Sequence, residues 1–194
     1  TLDYHFTDDI MGYATVSKAF KDGQFSYNVV ANLSPSAQSS IIRPIDPEKV
    51  INYEAGLRTT WLDGRLRFNP TGYYMTWSNR QSSQQQACAP GDASCPTGFR
   101  IVILNTGDVD VWGVEADAQF ALTDRLTLDG SMGTTRYKLD PVLNSGPYMF
   151  PEQPELSYNL GMNYKWTEEQ WGDFAFSLNY AYRSAQQTYP GSLT

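Results

Sequence analysis

Two carboxylates separated by one residue, Glu115 and Asp117, have a spacing that could support acid–base chemistry. On an extended strand, residues i and i+2 point to the same face and lie about 7 Å apart. That distance falls within the range that paired carboxylates use to hydrolyse glycosides. The pair therefore permits an all-β hydrolase, which assays against glycoside substrates would test.

Other catalytic arrangements are missing from the sequence. It contains no G-x-S-x-G motif, no H-E-x-x-H motif and no glycine-rich phosphate loop. His5 is the single histidine, and we expect it to be a strand residue that faces inward or lies at an interface. The sequence therefore favours a protein that is not an enzyme and that has neither a metal site nor a cofactor.

The two cysteines, Cys88 and Cys95, lie in the loop-like stretch QACAPGDASCPTG. Their spacing matches neither a C-x-x-C redox motif nor a zinc-binding pattern. We therefore expect a disulfide that closes a short surface loop in an oxidising compartment. Closing so short a loop would contribute roughly 2–3 kcal/mol to stability.

Ligand contacts are expected in three long segments rich in Gly, Pro, Ser, Asn and Gln, at 21–48, 80–98 and 139–152. Binding residues concentrate on loops that a rigid scaffold positions. The candidate contact residues are Arg80, Gln84, Gln85, Asn144 and Tyr148. The alternative for each of them is a hydrophilic side chain that only faces solvent.

The composition limits the class of protein. Of the 194 residues, 41% are hydrophobic, 14% are aromatic and only 18% are charged, below the usual share in soluble proteins. The net charge of −7 argues against a nucleic-acid partner, because phosphate binding needs clustered Lys and Arg. No run of about 18 apolar residues occurs, so the sequence predicts no transmembrane helix.

Period-2 alternation recurs along the chain and predicts eight β-strands. The predicted strands are 1–6, 10–20, 49–61, 65–79, 99–122, 125–138, 153–166 and 173–184. Short turns at 7–9, 62–64, 123–125 and 167–172 alternate with the three long segments. In an up-and-down antiparallel sheet, this order gathers the short turns at one edge and the long loops at the other, as in outer-membrane barrels. Most of these strands also reach the roughly 9–11 residues that cross a bilayer at a tilt.

The two faces of the strands differ sharply. In LSYNLGMNYKW at 156–166, Leu, Tyr, Met and Trp share one parity, whereas Ser, Asn, Gly and Lys share the other. The same charge-free apolar parity recurs at 51–61, 112–122, 126–132 and 174–182. Such a face suits either lipid or the core of a soluble sandwich. The polar parity carries Asn, Ser, Thr and Gly rather than dense Lys and Glu, which favours a hydrated bore.

Aromatic residues cluster beside the short turns, where the interfacial girdle of a membrane barrel would lie. They are Phe6, Trp61, Phe120, Trp166 and Trp171. The alternative is a set of ordinary core aromatics at the ends of strands.

Two strands depart from simple alternation. Pro70 and Gly72 in the fourth strand predict a β-bulge. In the second strand, Lys18 has the parity of Ala14, Val16 and Phe20. If that parity faces lipid, we expect Lys18 to extend to the headgroup level near the edge that carries the long loops.

Three stretches resemble one protein family. DPEKVINYEAGLRTTWLDGRLRFN is similar to the segment of TonB-dependent outer-membrane receptors in which Pro-Glu precedes an Asn-Tyr-Glu-x-Gly-Leu strand and an Asp-Gly turn. NTGDVDVWGVEADAQFALTDRLTLDGSMG resembles the same family's Asn-x-Gly, Gly-Val-Glu and Leu-x-Leu-x-Gly elements. YATVSKAFKDG resembles its strand that ends before a large outer loop. Together they cover most of the chain in the family's order.

The resemblance implies a barrel of about 22 strands, occluded by a plug domain of the same parent chain. Such receptors bind scarce nutrients, often ferric siderophores, and import them with energy delivered through TonB. Glu115 lies in the Gly-Val-Glu stretch, which favours a bore-facing carboxylate that contacts an arginine or the plug over a catalytic pair. Residues 1–194 would supply about eight strands and no plug, so we expect a partial receptor barrel domain.

We therefore predict an all-β fold, an antiparallel up-and-down segment of a transmembrane β-barrel with short periplasmic turns and long extracellular loops. The expected location is the bacterial outer membrane. The expected partners are outer-membrane lipid, the plug domain, TonB and a small ligand such as a ferric siderophore, without nucleic acid. Two alternatives stay open: a porin-like passive barrel, and a soluble secreted β-sandwich that binds a ligand.

Overall fold

The computed structural model describes residues 1–26, 43–88, 91, 95, 98–141, 153–168 and 172–186. No helix in this part of the chain is long and apolar enough to cross a bilayer. The strands are β1 (Leu2–Thr7), β2 (Ile10–Lys21), β3 (Gln24–Ser26), β4 (Arg43–Ile45), β5 (Glu48–Trp61), β6 (Leu66–Ser78), β7 (Gln81–Ala87), β8 (Phe99–Asn105), β9 (Gly107–Ala121), β10 (Leu126–Thr134), β11 (Arg136–Pro141), β12 (Leu156–Glu168) and β13 (Gly172–Arg183).

One antiparallel sheet, called here the main sheet, forms the body of the molecule. Its strands lie in the order β1-β2-β5-β6-β9-β10-β12-β13, and β11 continues the line of β10 along β9. The short connections β1–β2, β5–β6, β9–β10 and β12–β13 therefore share one edge, and the long connections share the other. The predicted all-β, up-and-down antiparallel fold is confirmed.

Two small hairpins are inserted in the long connections, and the alternation pattern of the sequence predicts neither of them. β3 pairs with β4, and β7 pairs with β8. β7 reads QSSQQQA, which has few of the β-branched and aromatic residues that favour strands. It becomes a strand because β8, FRIVILN, offers it an apolar pairing partner.

The prediction of one strand over 99–122 is wrong, because the chain turns between β8 and β9. Thr106 is fully buried at this point, and its N–H donates to the Arg80 carbonyl at 2.8 Å. The Arg80 N–H donates to the Gly107 carbonyl at 3.0 Å. Gly107 has a φ of 115°, which glycine adopts without strain. These two hydrogen bonds turn the chain out of the main sheet after β6 and back into it at β9.

The predicted bulge at Pro70 is also wrong, because β6 keeps one register with both neighbours. Pairs on either side of the proline, Gly56 with Thr71 and Thr59 with Phe68, belong to the same register. Proline has no N–H to donate to a ladder. The Asn69 side chain compensates locally, since its Oδ1 accepts the Thr59 N–H at 3.1 Å.

The predicted strand over 125–138 is divided at Thr135, where β10 ends and β11 begins. The Thr134 carbonyl turns toward Gly113 of β9 and occupies the space where a Cβ would lie. The Tyr73 hydroxyl donates to that carbonyl at 3.2 Å. The Thr134 hydroxyl in turn accepts the Val114 N–H at 3.0 Å. Side chains therefore replace ladder hydrogen bonds at this junction, and the register continues across it.

The apolar face of the main sheet is uncovered. Leu160, Val114 and Phe176 are 55%, 49% and 56% exposed. A soluble sandwich would bury these side chains under a second layer. No segment among the described residues packs on them, so this part of the chain does not form a sandwich core.

The buried core lies at the edge of the sheet that carries the long connections. Ile45 of β4, Val102 of β8, and Val109 and Val111 of β9 are buried there. Val109 and Val111 have the parity opposite to Trp112, which is exposed on the apolar face. Apolar residues therefore change face along β9, from one face within the sheet to the other beneath the hairpins.

Gly113→Ala is expected to lower stability by about 1–3 kcal/mol, because the new methyl group overlaps the Thr134 carbonyl. Gly72→Ala is the matched control, since a Cβ at this position of β6 meets nothing within 4 Å. Thermal unfolding followed by circular dichroism should show a lower Tm for Gly113→Ala than for Gly72→Ala. Equal Tm values would contradict the close approach of the two strands.

Candidate functional site

A hydrogen-bonded cluster lies on the polar face of β2, β5 and β6. The Tyr13 hydroxyl donates to Glu54 Oε1 at 2.8 Å and lies 2.9 Å from Thr71 Oγ1. The Arg58 guanidinium lies over the Tyr13 ring, 4.9 Å from its centroid. Gly56 leaves room for that ring, because a Cβ there would lie 2.7 Å from it. The cluster holds the Glu54 carboxylate in a fixed position on the polar face.

The two carboxylates of β9, Glu115 and Asp117, lie on the same face. Asp117 Oδ2 accepts a hydrogen bond from Asn69 Nδ2 at 2.9 Å. Both carboxylates line a shallow cavity of about 390 Å³ together with Glu54 and Arg58. Three carboxylates face one guanidinium there, so the excess negative charge favours cationic groups.

A second cavity, of about 430 Å³, lies on the same face nearer the long connections. Its lining combines aromatic side chains with carboxylates: Tyr73, Trp77, Tyr137, Glu54 and Glu115. Asn52 Oδ1 also lines this region and is buried without a hydrogen-bond partner among the described residues. A buried acceptor without a donor costs about 1–3 kcal/mol, so this oxygen is suited to a donor from a bound group.

A buried amide joins the bases of the two hairpins. Gln81 is only 8% exposed, and its backbone N–H donates to Glu48 Oε2 at 2.7 Å. Its side-chain Nε2 donates to the carbonyls of Asp22 and Asp46, both at 3.0 Å. Its Oε1 accepts from Gln24 Nε2 at 3.0 Å. All hydrogen-bonding atoms of the Gln81 side chain are therefore used, and they tie β3–β4 to β7–β8.

Asn105 makes a second link of the same kind. Its Oδ1 accepts the Asp46 N–H at 2.8 Å, and its Nδ2 donates to the Asn79 carbonyl at 2.8 Å. The hairpins therefore rest on side-chain hydrogen bonds to backbone groups, which fix their position relative to the main sheet.

Arg80 is the one predicted ligand-contact residue whose side chain the structure describes. It is half buried at the base of the hairpins, where burial lowers the pKa of its guanidinium and the Glu48 carboxylate opposes that shift. Its guanidinium carbon lies 5.7 Å from the Trp77 ring centroid. Arg80 is thus held beside Trp77 and Glu48, away from the tip of its loop.

For the other predicted contact residues, the structure describes no side chain. Gln84 and Gln85 belong to β7, whose backbone is described there without its side chains. Asn144 and Tyr148 lie outside the described residues, as does Trp171 of the predicted girdle.

Cys88 and Cys95 form a disulfide in the connection between β7 and β8. Backbone hydrogen bonds support the same closure, since the Cys88 N–H donates to the Gly98 carbonyl at 2.9 Å and the Gly98 N–H to the Cys95 carbonyl at 3.0 Å. Within the described segments, no group of three or more His, Cys, Asp or Glu side chains lies close enough to hold a metal ion.

Gln81→Ala is expected to lower the free energy of local opening of the two hairpins by about 2–4 kcal/mol, because three side-chain hydrogen bonds of a buried residue are lost. Gln119→Ala, at an exposed glutamine of β9, is the control. Limited proteolysis of the intact protein should cut Gln81→Ala faster within 21–48 or 79–106. Equal cleavage rates in the two variants would argue against the buried link.

The chain is similar to one protein family and to several solved structures. A family model described as TonB dependent receptor-like, beta-barrel, matches residues 1–194. The ferric yersiniabactin uptake receptor FyuA from Yersinia pestis is similar with a TM-score of 0.68 and 20% identity, over 95% of this chain and 25% of that one. The copper transporter OprC has a TM-score of 0.65 and 18% identity over 95% and 25% of the two chains. The ferric citrate transporter FecA has a TM-score of 0.61 and 23% identity over 95% and 24%.

At these identities the likeness to the solved structures is one of fold. This chain spans about a quarter of the length of each of the three. The family match extends over all 194 residues and agrees with the observed order of strands and connections. The chain therefore belongs to the family of TonB-dependent receptor β-barrels.

Proposed function

We propose that this chain forms part of the barrel wall of a bacterial outer-membrane receptor, which binds a scarce nutrient such as a ferric siderophore and imports it with energy supplied through TonB. The observation that carries the proposal is the two-faced main sheet, with an uncovered apolar face and a carboxylate-rich polar face. In a barrel that crosses a membrane, these faces meet hydrocarbon and a wet bore respectively.

The residues of the apolar face also indicate where the hydrocarbon layer would begin and end along the strands. Tyr53, Tyr74 and Trp112 pair directly across β5, β6 and β9 and form an aromatic row. The next row toward the long connections contains Asp110. From Tyr53 to Trp61, beside the short turn, the strand advances roughly 27 Å, or about 21 Å across the membrane at a tilt near 40°. That height is close to the apolar band of about 25 Å on outer-membrane barrels.

The ligand would bind on the polar face beneath the hairpins. The cavity with Tyr73, Trp77 and Tyr137 offers aromatic surfaces, two carboxylates and the unsatisfied Asn52 oxygen to a bound group. The names of the similar structures, which refer to ferric yersiniabactin, ferric citrate and copper, support a metal-linked nutrient. The residues proposed to contact the ligand from the surrounding loops are Arg80, Gln84, Gln85, Asn144 and Tyr148.

Glu54 and Glu115 would bind cationic side chains of a plug domain supplied by the same parent chain. Both carboxylates face the two cavities of the polar face, and Tyr13 holds Glu54 in place. A hydrogen bond to a charged group contributes about 1.5–3 kcal/mol. Two such contacts would help keep the plug seated until TonB acts on it.

Glu54→Gln with Glu115→Gln is expected to loosen the plug, because both anionic acceptors are lost. In planar bilayers, the full-length receptor with both changes should show more frequent open-channel events than the wild type. Glu155→Gln is the control, since Glu155 forms an exposed ion pair with Arg136, which lies opposite Trp112 on the apolar face. A porin-like passive barrel predicts instead that the wild type conducts freely and that uptake does not depend on TonB.

Leu160→Arg is expected to impair insertion of the receptor, because a cation at mid-depth on a lipid-facing strand costs about 2–4 kcal/mol. Asn159→Arg is the matched control, since Asn159 precedes Leu160 on β12 and its side chain points to the opposite face. The amount of heat-modifiable receptor in the outer-membrane fraction should fall for Leu160→Arg only. Equal yields would count against the lipid-facing assignment.

A further inference from the structure

Two lysines lie on the apolar face of the main sheet, at the edge with the long connections. Lys18 of β2 pairs with Ile51, and Lys49 of β5 pairs with Phe20. Directly opposite residues of antiparallel strands share a face, so Lys18 and Lys49 occupy diagonal positions with Cβ atoms roughly 7–8 Å apart. Lysine stems are long and flexible, so both ammonium groups can reach a single anion between them.

Neither ammonium group has an acidic partner in the described part of the chain, where the ion pairs are Arg136 with Glu155 and Lys138 with Asp140. Glu48, next to Lys49, points to the other face and accepts the Gln81 N–H. Asp110 shares the row of Lys18 but lies three strands away, roughly 14 Å at the usual strand spacing. Asp108 lies one row further out, two strands or roughly 10 Å from Lys49, and accepts the Asn79 N–H. Two cations near each other without a counterion are stabilised when an anion binds between them.

The surface around the lysines is apolar on the side toward the sheet centre. Val16 and Tyr53 pair across β2 and β5 in the next row toward the sheet centre from Lys18, and both are exposed, whereas Phe20 lies opposite Lys49 in the outer row. Tyr53 belongs to the aromatic row proposed to end the hydrocarbon, and Lys49 lies four residues beyond it toward the long connections. Lipid phosphates lie just outside the hydrocarbon, at the depth that lysine ammonium groups reach from its edge.

We propose that Lys18 and Lys49 bind the headgroup phosphate of one anionic lipid, whose acyl chains contact Val16 and Tyr53. The charges are complementary, and the apolar and cationic parts of the patch lie in the order of a lipid's chains and phosphate. This inference rests on the proposed membrane placement of the main sheet. It assigns a defined lipid site to one patch of the apolar face.

The test counts lipids bound to the full-length receptor in a neutral detergent by native mass spectrometry. The probes are phosphatidylglycerol, which is anionic, and phosphatidylcholine, whose phosphate is neutralised by its own ammonium. Phosphatidylglycerol should bind the wild type more tightly than phosphatidylcholine does. Each lysine near an anionic lipid contributes roughly fivefold, so Lys18→Gln with Lys49→Gln should weaken phosphatidylglycerol binding about 25-fold.

The control is Lys138→Gln, on the same face of β11 but already paired with Asp140, which should leave phosphatidylglycerol binding unchanged. The single variants Lys18→Gln and Lys49→Gln should each show an intermediate loss. Wild-type binding by the double variant, or equal binding of the two lipids, would overturn the site. Binding of glycerol 3-phosphate as tight as that of the lipid would show a free-anion site instead. A receptor that stays soluble without detergent would overturn the proposed function itself, and this site with it.

Discussion

The main sheet must satisfy its own backbone, because one of its faces offers no hydrogen-bonding partner. In a hydrocarbon environment every strand N–H and C=O has to be paired sideways. The register accordingly continues through two places where the ladder loses hydrogen bonds, although it shifts between His5 and Thr7 where β1 pairs with β2. At Pro70 the Asn69 side chain accepts the Thr59 N–H, and at the β10–β11 junction the Thr134 hydroxyl accepts the Val114 N–H. Both repairs use short polar side chains that the two faces tolerate.

Apolar and polar side chains change faces along the strands. This change divides the barrel wall from the part of the sheet beneath the hairpins. Within the wall, apolar side chains such as Leu160 point to one face and carboxylates such as Glu115 to the other. Beyond the aromatic row, Val109 and Val111 turn inward under the hairpins while Lys18 and Asp110 occupy the outer face. A sheet that emerges from a bilayer meets water outside and its own loops inside, which accounts for the reversal.

Much of the main sheet followed from the sequence, because period-2 alternation and the order of connection lengths are local signals. The hairpin β7–β8 did not, since QSSQQQA has little strand preference. FRIVILN was joined with β9 into one predicted strand because the alternation continues from one to the other. The predicted bulge at Pro70 is wrong because the Asn69 side chain helps to preserve the register. A side-chain hydrogen bond of this kind leaves no periodic signal in the sequence. Glu115 was visible in its motif, whereas the Gln81–Glu48 link depends on two loops meeting in space.

The most direct test asks which medium each parity of one strand meets in the full-length receptor. Fluorescent labels at Leu160 and Asn159, placed one at a time on cysteine, are compared in lipid vesicles with quenchers attached to acyl chains or dissolved in water. If the apolar parity faces lipid, acyl-chain quenchers act on the label at 160, and the label at 159 responds only to the aqueous quencher. Equal quenching of both labels from water would contradict the two-faced wall.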